Sequence, residues 1–232
     1  MSTTTLPEST PVPPLVDGER LSRDEFERRY HAMPENVKAE LIEGVVYMAS
    51  PARFKLHGNS DFRLTAWLGV YQASTPGTDG SANGTVRLGK QDEPQPDCFL
   101  FITEEYGGTV RISADDYVEN APDLIVEISA SSVSKDLNPK KRSYAQNGVR
   151  EYLVWRTMDA AIDWFVLRNG VYLPLAADAA GVIRSEVFPG LWLDVPAALR
   201  RDGAAILAKL QLGLQSPEHA RFVAELAARR IS

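Results

Sequence analysis

Cysteine is almost missing from this chain: Cys98 is the only one in 232 residues. A single thiol excludes a disulfide framework and a cysteine-built zinc site, and it fits a reducing cytoplasm, the expected location. Histidine is scarce too, and His31, His57 and His219 show no His-x-x-x-His spacing for a metal. No apolar run approaches the ~20 residues that span a bilayer, and the start of the chain lacks the basic-then-apolar pattern of a secretory signal, so no membrane partner is expected. Positive charge is not in excess. With a formal net charge of −6, a polyanion has to be bound through a local basic patch or a metal. The Ser131-Ser132 pair has no histidine nearby to activate it. Glycines from Gly77 to Gly84 lack both the Gly-x-x-x-x-Gly-Lys pattern and the following helix of a phosphate loop.

What is present is an ordinary globular composition, 44% apolar and 24% charged, in a length that suits one core. Residues 1–16, rich in Thr, Ser and Pro, read as a flexible leader. Residues 17–195 read as the main domain, and residues 196–232 as a helical extension packed on it.

Ser22, with Glu25 three residues on, predicts a capped helix to His31. Residues 39–48 predict a hairpin turning at Glu43-Gly44. Apolar residues at helical spacing predict a helix over Lys55–Gln72, followed by a loop over Ser74–Gly84. Thr85–Leu88 and Asp97–Ile102 read as strands paired around a turn at residues 90–93. Leu124–Ile128 is an apolar run suited to a central strand covered on both faces. A helix then starts at Asp136 or Asn138, with Pro139 in its first turn, and ends at Gly148. Glu151–Trp155 reads as another core strand. Ala161–Leu167 and Val171–Leu175 form a hairpin around Asn169-Gly170. Strand–helix–strand order from Leu124 to Trp155 favours a parallel pair in a mixed α/β (α+β) sheet flanked by helices. Trp67, Trp155, Trp164 and Trp192 read as core or interface.

Two of the apolar strands carry a carboxylate, Asp97 at the start of one and Glu127 inside the other. A buried ionised carboxylate is costly unless it is paired or coordinates a metal. Magnesium takes oxygen ligands, often one or two carboxylates with several waters, so Asp97, Glu127 and a backbone carbonyl make a candidate site. Lys140 is placed to assist, with Lys141 as its rival. Glu127 also has a bland reading, a salt bridge to Arg150 or Lys140. Asp97 alone reads as a strand-end cap. Glu40 reads as a third acid or an edge-strand charge, His57 as a site-mouth or surface residue, and Tyr144 as core packing that also reaches the site.

These residues resemble the PD-(D/E)XK nuclease signature, in the arrangement of the Uma-two type restriction endonucleases. The ordered match runs through Glu40-Leu41-Ile42-Glu43-Gly44, Ser50-Pro51, His57, Gln95-Pro96-Asp97 and Ala121-Pro122-Asp123 to Glu127-Ile128-Ser129. It continues through Asp136, Lys140 and Tyr144 to Gly148-Val149-Arg150-Glu151-Tyr152. The wider superfamily has its lysine two residues after the glutamate, where this chain has Ser129; the family pattern implies that Lys140 replaces it from the following helix. The resemblance implies a restriction-endonuclease-like fold, a Mg2+ cofactor for which Mn2+ substitutes, DNA as partner and a homodimer. Asp97 and Glu127 would be the metal ligands, and Asp97, Glu127, Lys140 and Glu40 the catalytic set. The competing readings are an inactive interaction module of the same fold and a hydrolase of smaller phosphoesters.

Overall fold

Residues 11–49 and 53–230 are described by the structure, a computed structural model; Ser50-Pro51 of the family match and residues 1–10 of the leader stretch lie outside them. Helix α1 (Arg23–Tyr30) opens on Ser22, whose hydroxyl accepts the Glu25 N–H. Strands β1 (Ala39–Ile42) and β2 (Val45–Met48) form a hairpin. Glu43 and Gly44 turn it with φ of 51° and 72°, the geometry of a primed two-residue turn. A π-helical turn, Phe54–Gly58, feeds α2 (Asn59–Ala73), which buries Leu64, Trp67, Leu68 and Tyr71. Next come β3 (Thr78–Ala82), β4 (Val86–Arg87), β5 (Cys98–Ile102), β6 (Arg111–Ile112), β7 (Val118–Glu119) and β8 (Leu124–Ser129). Helix α3 (Val133–Lys135) passes through a second π-helical turn, Asp136–Lys140, into α4 (Lys141–Gln146). The chain closes with β9 (Glu151–Arg156), β10 (Ala161–Arg168), β11 (Val171–Pro174), β12 (Val182–Arg184), β13 (Trp192–Asp194), α5 (Val195–Leu199), α6 (Gly203–Leu214) and α7 (Pro217–Arg229).

The central sheet has six strands in the order β11-β10-β9-β8-β5-β3. Only β8 and β9 run parallel, joined by the expected helical crossover; the other pairs are antiparallel. Side chains of β5 and β8 alternate between two cores. Cys98, Leu100, Leu124, Val126 and Ile128 face a core shared with α2, α6 and α7. Phe99, Phe101 and Ile125 face a second core with Tyr144, Tyr152 and the small β4-β7-β6 sheet. Both faces are covered, which is why these strands read as unbroken apolar runs. Ile206, Leu210, Phe222 and Leu226 of the C-terminal helices sit in the first core. Leu15, within the stretch assigned to the leader, is buried with Phe26 and Leu41.

Four expectations differ from the structure. Residues 78–82 form β3 rather than loop, an exposed edge strand with only Thr78 buried, so no apolar alternation marks it. A side chain at Gly80 would collide with the Phe99 carbonyl, so the glycine serves close strand approach. Residues 85–88 do not pair with 97–102: β4 pairs with β7, because β3 and β8 already occupy both edges of β5. The crossover helix begins at Val133, so Pro139 lies inside it, where the π-helical turn accommodates the ring. The β12–β13 hairpin, too short for a clear pattern, was not expected.

Candidate active site

Glu127 sits on the odd-numbered face of β8 with Ile125, and Asp97 precedes β5 on the same side as Phe99. Cys98 pairs with Val126, so one step further along the register places Asp97 opposite Glu127. The Asp97 Oδ2 accepts the Ile128 N–H at 2.6 Å, and its Oδ1 lies 3.0 Å from His57 Nε2. Asp97 thus caps the strand, as its bland reading holds, and faces the glutamate as well.

The π-helical turn swings Lys140 inward until only 2% of it is exposed. Its ammonium lies 2.8 Å from Glu127 Oε1 and 2.6 Å from Glu40 Oε1. One turn on, the Tyr144 hydroxyl donates to the same Glu127 Oε1 at 2.8 Å. Arg150 takes no part; it pairs with Asp123 at 3.2 Å. Nor does Lys141, whose ammonium lies 3.4 Å from the centre of the Phe165 ring. Ser129 is fully buried, and its hydroxyl lies 3.4 Å from that of Ser132, which donates to Asp136. The structure therefore gathers Asp97, Glu127, Lys140, Glu40, His57 and Tyr144, places Ser129 at the strand end beside them, and leaves Lys141 outside.

Glu40, carried inward by β1, is the most heavily engaged acid of the cluster. Its Oε1 also accepts the Gln95 N–H at 2.9 Å, and its Oε2 pairs with Lys135 at 2.6 Å. Lys135 is a residue that sequence reasoning missed. It stands five positions before Lys140, a spacing that brings side chains together only across a π-helical turn.

The electrostatics follow from this crowding. Desolvation pushes the Glu127 carboxyl up to about 8, against the pull of Lys140 and with help from Asp136, Asp97 and Glu40. Glu40 is desolvated as well, yet Lys140 and Lys135 hold it at about 2. Burial works against the Lys140 ammonium, but Glu127 and Glu40 outweigh it and push its pKa up. Hydrogen bonding to Asp97 raises His57 to about 9. At neutral pH the cluster thus holds a charged lysine, a charged histidine and a glutamate that retains a proton until mildly alkaline pH. Such a constellation can hold a cation once that proton leaves, and can place positive charge beside an anionic substrate. Among the described residues, no group of three or more His, Cys, Asp or Glu is arranged as a metal cage. No described helix is long and apolar enough to cross a membrane.

No curated protein matches the chain. Among solved structures, it is similar to a protein described as "a putative nuclease belonging to DUF820" from Anabaena variabilis ATCC 29413. The match covers 75% of this chain and 97% of the other, with TM-score 0.57 at 11% identity, a likeness of fold. The family model Uma2, described as "Putative restriction endonuclease", matches residues 23–196, most of the chain and all of the residues gathered above. On that match the chain belongs to the Uma2 family of restriction-endonuclease-like proteins.

Proposed function

We propose that the protein is a Mg2+-dependent endonuclease that hydrolyses DNA phosphodiester bonds, with Asp97 and Glu127 as the metal ligands. The observation that carries this reading is the facing pair of buried carboxylates with the Lys140 ammonium 2.8 Å from one of them. The donor set fits the ion. Two neighbouring carboxylates without a closed cage suit a hard cation that keeps most of its waters, as magnesium does. A carboxyl held protonated to about pH 8 by desolvation and acidic neighbours gains by exchanging its proton for a divalent ion.

The bound ion would supply charge to the phosphoryl oxygens and lower the pKa of water. The chain's own groups set the frame for that chemistry. Tyr144 and Lys140 fix the orientation of Glu127 through Oε1, and the Ile128 N–H fixes Asp97 through Oδ2. Glu40 holds Lys140 charged, so the lysine steadies Glu127 as a buried counter-charge and cannot act as a base. His57, protonated on the side facing Asp97, adds positive charge at the edge of the cluster. Cutting both strands of a duplex calls for two such sites, which a homodimer supplies.

A plasmid-nicking assay with Mg2+, and with Mn2+ in its place, tests the reading. Wild type should nick, and an Asp97→Ala, Glu127→Ala double variant should lose nicking and metal binding together. Folded wild type with no Mg2+ affinity by calorimetry would sink the nuclease reading and favour an interaction module. Cleavage of small phosphoesters without cleavage of DNA would shift the substrate class.

A further inference from the structure

Glu40 is bound by two lysines that differ sharply in access. Lys140 is sealed, with 2% of its side chain exposed, and two of its three donors point at Glu127 and Glu40. Lys135 meets the other Glu40 oxygen at 2.6 Å but keeps 25% of its side chain exposed. Its ammonium lies 5.6 Å from the centre of the Tyr47 ring, and Tyr47 is the cross-strand partner of Glu40. One donor of Lys135 is thus taken by Glu40, and a quarter of the side chain is left to solvent. A lysine whose ammonium is held by a carboxylate and whose side chain is partly exposed beside buried acids has the properties required of a phosphate contact.

We infer that Lys135 is the residue that grips a backbone phosphate of the nucleic acid, and that Glu40 is its positioning residue. Lys140 is then an internal counter-charge that organises Glu127 and Glu40. The inference rests on the nuclease reading and assigns the substrate contact within it. It also accounts for how an acidic protein binds a polyanion: the contact is local, on a lysine oriented by a carboxylate with a pKa of about 2.

The test is binding of a fluorescent DNA duplex to the full chain in EDTA, measured across a salt series. Each phosphate contact contributes about 0.9 to the slope of log K against log [salt]. Lys135→Ala should reduce the slope by about that amount, and Lys135→Arg should restore it. Lys209→Ala on α6, which removes the same charge, should leave the slope unchanged. A merely structural role for Lys135 would weaken binding through misfolding, visible by circular dichroism, without that change of slope. An unchanged slope in a folded Lys135→Ala protein, with wild type still binding, overturns the inference and spares the nuclease reading. Wild type that shows no salt-dependent binding overturns both.

Discussion

Lys140 shows how a buried charge is kept. Two carboxylates hold its ammonium, and a tyrosine shares one of them, so removing the lysine leaves Glu127 with no counter-charge while Glu40 keeps Lys135. Lys140→Met should destabilise the fold by about 3 kcal/mol, the low end of the range for a broken buried pair, because Glu127 can keep its proton. Chemical denaturation reads that loss. Adding Glu127→Gln should recover most of it while nicking stays absent, separating the stability role of the pair from its chemistry. Glu127 also sets how metal binding depends on pH. A group raised to about 8 must lose its proton to take a cation, so Mg2+ affinity should climb with pH towards 8 and then level off. Calorimetry in buffers of different ionisation enthalpy should show about one proton released per ion bound near neutral pH; no buffer dependence would remove Glu127 from the ligand set.

The two π-helical turns, Phe54–Gly58 and Asp136–Lys140, carry His57 and Lys140 respectively. Such turns recur at functional sites because they re-aim side chains that a regular helix would point elsewhere. In the second turn the cause is in the sequence. Pro139 has no N–H, and its ring would strike a carbonyl of the preceding turn, so the helix widens. Pro139→Ala should let the segment tighten, turning Lys140 away from Glu127. The expected result is a protein of equal or higher Tm with nicking reduced at least tenfold. Unchanged activity would show that the wide turn is not what delivers Lys140.

The same turn marks the limit of sequence reading. Asp97 and Glu127 could be singled out because charges stand out in or beside apolar strands, and Lys140 because the site they imply and the family pattern call for a lysine on the following helix. The α1 cap, the Glu43-Gly44 and Asn169-Gly170 turns and the parallel β8–β9 unit follow from local patterns that the tertiary structure leaves intact. Lys135 escaped because a spacing of five matches no face of an α-helix. Strand β3 escaped because its residues face solvent, and the pairing of β4 escaped because competition for the edges of β5 is decided by the whole sheet. Local chemistry announces itself in sequence, while partner choice between distant strands does not.

At the scale of the molecule, several buried acids bias stability in one direction. Desolvation raises Glu127 and Glu93 to about 8 and Glu151 to about 7. Glu151 is fully buried and makes no ion pair among the described residues. It accepts from Trp164, from the Ser185 hydroxyl at 2.7 Å and from the N–H groups of Glu186 and Val187, tying the edge of β9 to the chain after β12. A carboxyl whose folded pKa exceeds its unfolded value binds its proton more tightly when folded. Its contribution is complete below about 4.5 and is lost as pH rises through 7 to 8. His57, raised to about 9, acts in the same sense above its ordinary 6.5. Glu40 acts oppositely, but only as pH falls from about 4.5 through 2, outside the neutral range. Thermal melts should therefore show the highest Tm on the acid side of neutrality and a fall of about 5 °C or more by pH 9. Glu151→Gln should lower Tm at pH 5, because an amide has fewer acceptors for the four donors, and should flatten the slope between pH 6 and 8. If that slope survives the substitution, another group titrates there, and Glu151 is a fixed anchor rather than the source of the pH dependence.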